Sequence, residues 1–350
     1  MKQKKKTSLK DIANHLGVSP ALVSMVINHR GDEKKVSPET QKKVWDLVKK
    51  LNYKPNLVAR NLRLGNSKII GLIIADISNV FYSIIAKSIE EQASKKGYNI
   101  MFMSSEENPK KEEEMTNTLI DRGVDGLILS TSINDRDQIR KLRVSNIPFV
   151  LIDRYIPGVK TNYVLAGNYQ GAFDMTEHLL SLGYTRIALI TVTPSHLTTM
   201  KHRISGYQDA LRKNGHAVKN KLIKEIAYDN ITKNMKTILK ELILTEKVQS
   251  IFFLNNKLTI AGLEILKQLN FRIPQDISIV SFDDIELFKF SYPTITSVSQ
   301  PKEEIGKLAF EILLNEINNN NVEKQQITLP VKLNIRESCG SHMQSLLNKV

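Results

Sequence analysis

From Lys68 onward the sequence alternates short apolar runs with amphipathic stretches of helical length, and this alternation limits the possible folds more than any other feature. The apolar runs cover 69–75, 99–103, 126–129, 149–152, 186–190, 250–254 and 277–282. Strands that alternate with helices in this way form right-handed βαβ units. The pattern predicts an α/β fold with two parallel, doubly wound sheets. One large Rossmann-like domain is the alternative.

Polar side chains follow each apolar run, where the carboxyl ends of parallel strands bind ligands. They are Asp76–Asn79, Ser104–Glu106, Ser130–Ser132, Asp153-Arg154, Thr191–Thr193, Asn255-Asn256 and Asp283-Asp284. Carboxylates, amides and an arginine, joined by the aromatic residues Phe81, Tyr82 and Tyr155, hold vicinal hydroxyls and stack on a ring face. The convergence predicts a sugar or polyol ligand. Taken singly, each residue also fits a helix cap, and Asp153-Arg154 also fits a structural ion pair.

Positive charge is concentrated near the start of the chain. The formal net charge is +14 over 350 residues, and residues 1–67, with 15 Lys and Arg against 5 Asp and Glu, carry +10 of it. Such a segment is typical of a module that meets a polyanion. A solvated tail would account for Lys2 to Lys6, but not for the basic residues that continue to Arg63.

The segment after this tail carries the start and stop signals of three short helices. Ser8-Leu9-Lys10-Asp11 has capping-box spacing, and Gly17 ends the first helix. Ser19-Pro20 and Ser37-Pro38 each place an N-cap before a proline at the first helical position. Two short helices joined by a glycine-containing turn and braced by a third predict a helix-turn-helix headpiece.

The second helix of such a unit enters the major groove of DNA. Ala21 and Met25 are expected to meet thymine methyl groups, although core packing is an alternative for Met25. Ser19, Ser24 and Asn28 are expected nearer the phosphates. The predicted DNA contacts of the headpiece are Ser19, Pro20, Ala21, Ser24, Met25 and Asn28.

The sequence of residues 55–65, with an Asn cap and a Gly stop, predicts a hinge helix of about two turns. Such a helix is too short to be stable alone in water. It is expected to order on DNA binding, with Leu62 as a minor-groove wedge. An ordinary interdomain linker is the alternative. The predicted DNA contacts of the hinge are Asn56, Ala59, Arg60, Leu62 and Arg63.

Motifs along the whole chain point to one family. They are Leu9–Ala13, Gly17–Ser19, Val23-Ser24, Val26–Asn28, Leu51–Asn56, Ala59–Leu62, Asp76–Asn79, Ile152–Arg154, Arg203 before Gly206-Tyr207, Phe282–Asp284 and Pro293–Gln300. Together they resemble the lactose-repressor (LacI/GalR) family. The sequence departs from the family pattern at Met25, at Asn256, at Gly167-Asn168 and in the extended loop 30–35.

The resemblance implies a homodimer that binds a palindromic operator, with Leu62 prying open a central base step. It implies a two-lobed, periplasmic-binding-protein-like (type I) effector domain. Phe81, Asp153, Arg154, Arg203, Asn255 and Asp283 match family effector contacts by position. With Asn79, Tyr82 and Ser130 from the strand ends, they form the predicted effector site.

The predicted domain organisation has three parts. Residues 1–54 form the headpiece, 55–67 the hinge helix and linker, and 68–350 the effector-binding and dimerisation domain. Within that domain the first lobe is expected at about 68–165 and 297–327, and the second at about 166–296 and 328–340.

Several classes of protein are excluded. Cys339 is the only cysteine, so the chain forms no intrachain disulfide or multi-cysteine zinc site. No P-loop, G-x-S-x-G, H-E-x-x-H or dinucleotide-binding glycine motif is present. No apolar run reaches the roughly 20 residues that span a bilayer, and no signal-peptide core follows the basic start. We expect a cytoplasmic protein that is not an enzyme and takes no metal or cofactor.

A DNA-binding regulator, by resemblance a repressor, is therefore predicted, with double-stranded DNA and a sugar as partners. The alternative, a sugar-binding transport protein with a basic arm, would need an export signal and has no use for the headpiece. The identity of the sugar, and whether it releases or recruits DNA, stay open. A dimer is favoured over a tetramer because no heptad-bearing C-terminal helix is evident.

Overall fold

A computed structural model of the chain describes residues 7–53, 66–133, 136–193, 197–319 and 323–341. The chain divides into two compact units, Met1–Ser67 and Lys68–Val350. The predicted hinge helix, with Asn56, Ala59, Arg60, Leu62 and Arg63, lies outside the described residues.

Three helices form the headpiece: α1 (Leu9–Leu16), α2 (Pro20–Ile27) and α3 (Pro38–Lys50). The capping box of α1 is present, because the Ser8 hydroxyl accepts from the Asp11 backbone N–H and the Asp11 carboxylate accepts from that of Ser8. Gly17 ends α1 with φ 63°, a left-handed conformation that glycine adopts without steric cost.

A small apolar core holds these helices together. The buried side chains that pack against each other are Ile12, Ala13, Val23, Val26, Val44 and Val48. A core of this size stabilises a small domain only marginally, so each of its side chains matters to folding.

The second unit has two lobes, each built on one sheet. The first lobe begins with β1 (Ile69–Ile74), α4 (Val80–Lys95), β2 (Asn99–Ser104), α5 (Pro109–Asp121), β3 (Gly126–Leu129), α6 (Arg136–Val144), β4 (Phe149–Ile152) and β5 (Asn162–Ala166). The chain then passes to the second lobe, which contains α7 (Asn168–Ser181), β6 (Ile187–Thr193), α8 (Thr198–Lys213), β7 (Ile223–Ala227), α9 (Ile231–Lys240), β8 (Ser250–Phe253), α10 (Asn256–Gln268), β9 (Ser278–Phe282), the short α11 (Leu287–Phe290) and β10 (Thr296–Ser299). It returns to the first lobe for α12 (Lys302–Asn318) and β11 (Gln326–Leu329), and ends in the second with β12 (Lys332–Asn334).

Within the described residues each lobe has a six-stranded sheet. The strand orders are β11-β5-β4-β3-β1-β2 and β12-β10-β9-β8-β6-β7. The described pairings are parallel except for β10 with β12. The predicted α/β fold with two doubly wound parallel sheets is confirmed.

The lobe boundaries differ slightly from those predicted. Because β10 pairs with β9, residues 297–299 belong to the second lobe and not to the first. Because β11 pairs with β5 through Leu329, residues 328–329 belong to the first lobe. These two changes of lobe therefore come two to three residues later than expected.

A nearly buried ion pair joins the final segment of the chain to the second sheet. Arg336 donates two parallel hydrogen bonds to Asp284, of 2.8 and 2.9 Å, and a third to the Ile295 carbonyl. Ser297 and Asn334 also donate to the Asp284 carboxylate. Asp284 is therefore a structural residue.

We expect Arg336→Met to lower the free energy of unfolding by about 3–5 kcal/mol, because it leaves the Asp284 carboxylate nearly buried without its cation. Urea denaturation measures this. Arg272→Met is the matched control, since Arg272 forms an equally bidentate pair with Asp276 while its side chain is 72% exposed. The control should cost at most about 1 kcal/mol. Equal losses in both variants would contradict a structural role for the Arg336 pair.

Candidate ligand cleft and nucleic-acid interface

Side chains from both lobes line a cleft at the carboxyl ends of the strands. Of the nine predicted site residues, the structure places eight on this cleft: Asn79, Phe81, Tyr82, Asp153, Arg154, Arg203, Asn255 and Asp283. The free space among them is about 40 Å³, room for only a few water molecules. The side chains therefore fill the cleft themselves.

Ser130, the ninth predicted residue, lies behind the cleft wall. It is fully buried, and its hydroxyl donates to the Tyr82 hydroxyl at 3.1 Å. Tyr82 in turn donates to Asp153 at 2.8 Å. Burial raises the pKa of Asp153. The Ser130 hydroxyl therefore contacts Tyr82 and does not line the cleft.

Arg154 pairs with a carboxylate that sequence reasoning missed. It donates two hydrogen bonds to Glu107, of 2.7 and 2.6 Å. Burial alone would lower the pKa of Arg154, but Tyr82, Glu107 and Asp153 together raise it well above its ordinary value. Arg154 therefore stays charged in the cleft, and its main partner is Glu107 rather than Asp153.

Arg203 is held from the second lobe. It donates to Asn168 at 2.7 Å and to the Leu254 carbonyl at 2.6 Å, and its guanidinium lies 3.7 Å from the centre of the Phe282 ring. Burial lowers its pKa. These contacts hold the guanidinium beside the cleft.

Three cleft residues have left-handed backbone conformations, which are uncommon for residues other than glycine. They are Glu107 at φ 58°, Asp153 at φ 64° and Asp283 at φ 74°. Such conformations cost free energy and concentrate at functional sites. Asp283 accepts a hydrogen bond from Gln300 within the cleft.

Asn79 and Asn255 have two roles. The Asn79 side chain accepts from the Phe81 N–H at the start of α4, and that of Asn255 accepts from the Leu258 N–H at the start of α10. Both residues also line the cleft. The cap and the ligand-contact interpretations of these asparagines are therefore compatible.

Unpartnered polar atoms gather in the cleft. Buried side-chain atoms without a hydrogen-bond partner include Arg154 Nε, Thr199 Oγ1 and Gln300 Oε1, all in residues that line it. Arg154 Nε lies 3.4 Å from Asp153 without hydrogen-bond geometry. Buried polar groups are rarely left unpaired, so these donors and acceptors match a polar ligand.

The lobes are clasped beside the cleft. Asp76 of the first lobe accepts from Tyr228 and from Lys257 of the second, both at 2.6 Å. Although burial opposes it, hydrogen bonds from Lys257, Tyr228 and Ser78 lower the pKa of Asp76 to about 2. The clasp holds the lobes together at neutral pH.

The headpiece presents the predicted DNA-contacting residues of α2 away from its core. Ser19, Pro20, Ala21 and Asn28 are exposed, and Ser24 is half-buried. Met25 is 36% exposed and is not part of the core, which favours its groove role over the packing alternative. The Asn28 amide donates to the Ser24 carbonyl at 2.7 Å, so it is occupied within the helix.

Comparisons with known proteins agree with these two units. Residues 8–56 match the family model described as bacterial regulatory proteins, lacI family. Residues 176–339 match a periplasmic binding protein-like domain. The regulator KdgR of Bacillus subtilis (strain 168) is 32% identical over 334 residues, which cover 95% of this chain and 97% of that protein. The chain belongs to the lacI family.

Other lacI-family proteins are similar over comparable lengths. The ribose operon repressor of Halalkalibacterium halodurans is 32% identical over 333 residues, covering 95% of this chain and 97% of its own. The structure of a lacI-family regulator from Enterococcus faecium with bound ribose has a TM-score of 0.69 at 27% identity, covering 77% of this chain and 98% of its own. The family consists of transcriptional regulators, so this chain is a regulator and not an enzyme.

Six cleft residues lie outside the predicted effector site, although Val192 belongs to the predicted strand-end segment 191–193 and Gln300 ends the family motif Pro293–Gln300. They are Glu107, Val192, Thr199, Met200, Tyr228 and Gln300. Gln300 directly follows β10, whose sequence is mostly polar and so does not form an apolar run. Tyr228 directly follows β7, whose sequence is equally mixed.

Neither a metal site nor a membrane helix is found in the described part of the chain. There, no group of three His, Cys, Asp or Glu side chains could hold a metal ion. None of the helices there has the length and hydropathy to cross a membrane.

Proposed function

We propose that this lacI-family protein is a repressor that binds a near-palindromic operator as a homodimer and releases or tightens its hold on DNA when a sugar binds between its lobes. Its place of action is the cytoplasm, where the operator DNA is.

The observation that carries the sugar assignment is the set of groups in the cleft. Carboxylates of Asp153 and Asp283, the amide of Asn255 and two guanidiniums line the cleft together with the aromatic rings of Phe81 and Tyr82. Such groups hold vicinal hydroxyls and pack on a ring face. Hydroxyls would also partner the unpaired atoms of Arg154, Thr199 and Gln300. The ribose bound to the Enterococcus faecium regulator makes ribose the first sugar to test.

Sugar binding is coupled to lobe movement in this proposal. A cleft of about 40 Å³ does not admit a sugar ring, so the lobes must separate, and the clasp of Asp76 with Tyr228 and Lys257 must open. Once the sugar takes the place of these side-chain contacts, the lobes close at a new angle. The pair of lobes, with its two alternative angles, is the bistable element that couples the sugar cleft to the DNA-binding headpiece.

The dimer assignment is supported by exposed apolar side chains on the second lobe. Leu287 is 55% exposed, Phe290 77% and Tyr292 100%. Large apolar side chains clustered within six residues on a surface are typical of a protein interface. A second copy would cover them, and two headpieces would then read two half-sites.

We expect Leu62→Ala to weaken operator binding at least tenfold, roughly the effect of losing one buried leucine side chain, while the affinity for sugar stays unchanged. The reason is the proposed insertion of Leu62 between base steps. Fluorescence anisotropy with a labelled operator measures the first quantity and calorimetry the second. Operator affinity within twofold of the wild type would contradict the wedge role.

Selection of bound duplexes from a random DNA pool at near-physiological salt tests the DNA-binding proposal, because nonspecific phosphate binding is weak there. Enrichment of a palindrome with a flexible central step supports headpiece, hinge and dimer together. The selection is repeated with a mixed sugar pool, which recovers the palindrome if the sugar recruits DNA. No enrichment under either condition would contradict the proposed function.

A further inference from the structure

Negative charge exceeds positive charge among the described residues of the cleft. Three carboxylates line it, those of Glu107, Asp153 and Asp283, against the two guanidiniums of Arg154 and Arg203. The neighbouring Asp76 and Lys257 neutralise each other in the clasp. A ligand that enters this space meets a net negative charge.

Both guanidiniums already donate to protein groups, and within them Arg154 Nε is the buried nitrogen without a hydrogen-bond partner. Glu107 takes two parallel hydrogen bonds from Arg154, and in this pair the Arg154 side chain is 7% exposed and that of Glu107 17%. Arg203 is held by Asn168, the Leu254 carbonyl and the Phe282 ring. A ligand carboxylate or phosphate would have to displace Glu107 to gain a bidentate contact with Arg154.

The backbone at Glu107 has an uncommon left-handed conformation, and from it the carboxylate reaches Arg154. Glu106 and Glu107 are consecutive residues with φ of 55° and 58°. The Glu107 N–H donates to the Ala75 carbonyl at 3.2 Å, which ties the loop to the end of β1. A strained loop that delivers a carboxylate into a ligand cleft is a reason to assign that carboxylate a function.

We propose that Glu107 makes the cleft selective for sugars without a carboxylate or phosphate group. This inference rests on the proposed function, since it concerns the same sugar site. Glu107 neutralises Arg154 and leaves the Asp153 and Asp283 carboxylates to repel anions, while hydroxyl groups still find donors and acceptors.

Calorimetric titration of the full-length protein tests the selectivity directly. The probes are matched sets that differ in charge: ribose, ribonate and ribose 5-phosphate, then glucose, gluconate and glucose 6-phosphate, then galactose, galacturonate and galactose 1-phosphate. We expect an uncharged sugar to bind, and its acid and phosphate to bind at least tenfold more weakly, about the effect of one unfavourable charge interaction.

Glu107→Gln tests the residue itself. It removes the charge but keeps an amide oxygen that accepts from Arg154. We expect the preference for the uncharged sugar over its anions to fall at least tenfold, about one charge interaction. Glu106→Gln is the matched control, because Glu106 has the same backbone conformation but is 66% exposed and pairs with Lys111 away from the cleft. The control should keep the wild-type preference.

The outcomes separate the two proposals. If the wild-type protein binds an acid or phosphate more tightly than the parent sugar, the inference is overturned while the sugar site stands. The same holds if Glu107→Gln leaves the preference within twofold of the wild type, with the fold checked by circular dichroism. Should none of the probes bind, with or without operator DNA, the sugar site itself is wrong and the inference falls with it.

Discussion

Replacing Ile12 by alanine should abolish specific DNA binding without changing the affinity for sugar. Ile12 is fully buried among six core side chains of the headpiece. Truncation of a buried isoleucine costs about 2–5 kcal/mol, which is comparable to the whole stability of a domain of this size. The headpiece therefore unfolds, whereas the second unit keeps its own separate cores.

Anisotropy with the selected operator and calorimetry with the sugar measure the two effects. Val144→Ala is the control, because Val144 is a β-branched apolar residue that is 82% exposed. It should leave both affinities unchanged. Specific operator binding by the Ile12 variant at wild-type strength would contradict the assignment of DNA reading to the headpiece.

Asp283→Asn has the opposite expected effect. It should weaken sugar binding by about 30- to 100-fold, because a charge-assisted hydrogen bond to a buried hydroxyl contributes about 2–3 kcal/mol. Asparagine tolerates the left-handed backbone of Asp283, φ 74°, so the fold is kept. Operator binding without sugar should equal that of the wild type, and sugar should change it only at about 30- to 100-fold higher concentrations.

Asp284→Asn, one residue away, is the matched control. Asp284 binds Arg336, Ser297 and Asn334 and does not line the cleft. Its substitution should lower the stability of the protein and leave the affinity of the folded protein for sugar within about twofold. A larger loss of sugar affinity in Asp284→Asn than in Asp283→Asn would reverse the assignment of the two carboxylates.

The sequence predicted the sheets and most of the cleft because both follow from one pattern. Buried parallel strands are apolar runs, and ligands lie beyond their carboxyl ends. Asp153 and Asp283 each directly follow such a run, so their place on the cleft could be read from the chain. The three helices of the headpiece could also be predicted, because N-cap residues and prolines mark where they begin.

The residues that were missed follow weaker patterns. The strand β7 reads Ile-Lys-Glu-Ile-Ala and β10 reads Thr-Ser-Val-Ser, so neither predicts a buried strand. Tyr228 was therefore missed, and Gln300 was found only as the last residue of a family motif. Glu107 lies three residues past β2, and both it and Glu106 have a left-handed backbone. Local sequence preferences do not predict that conformation for glutamate. Its pairing with Arg154 depends on tertiary structure.

The most direct test of the account measures coupling between the two sites. Operator affinity is determined by anisotropy with and without saturating sugar, and sugar affinity by calorimetry with and without operator. We expect sugar to change operator affinity by roughly 5- to 150-fold and operator to change sugar affinity by the same factor, because binding free energies are reciprocal. If both ligands bind tightly and neither changes the affinity for the other, the claim that the cleft controls the headpiece is contradicted.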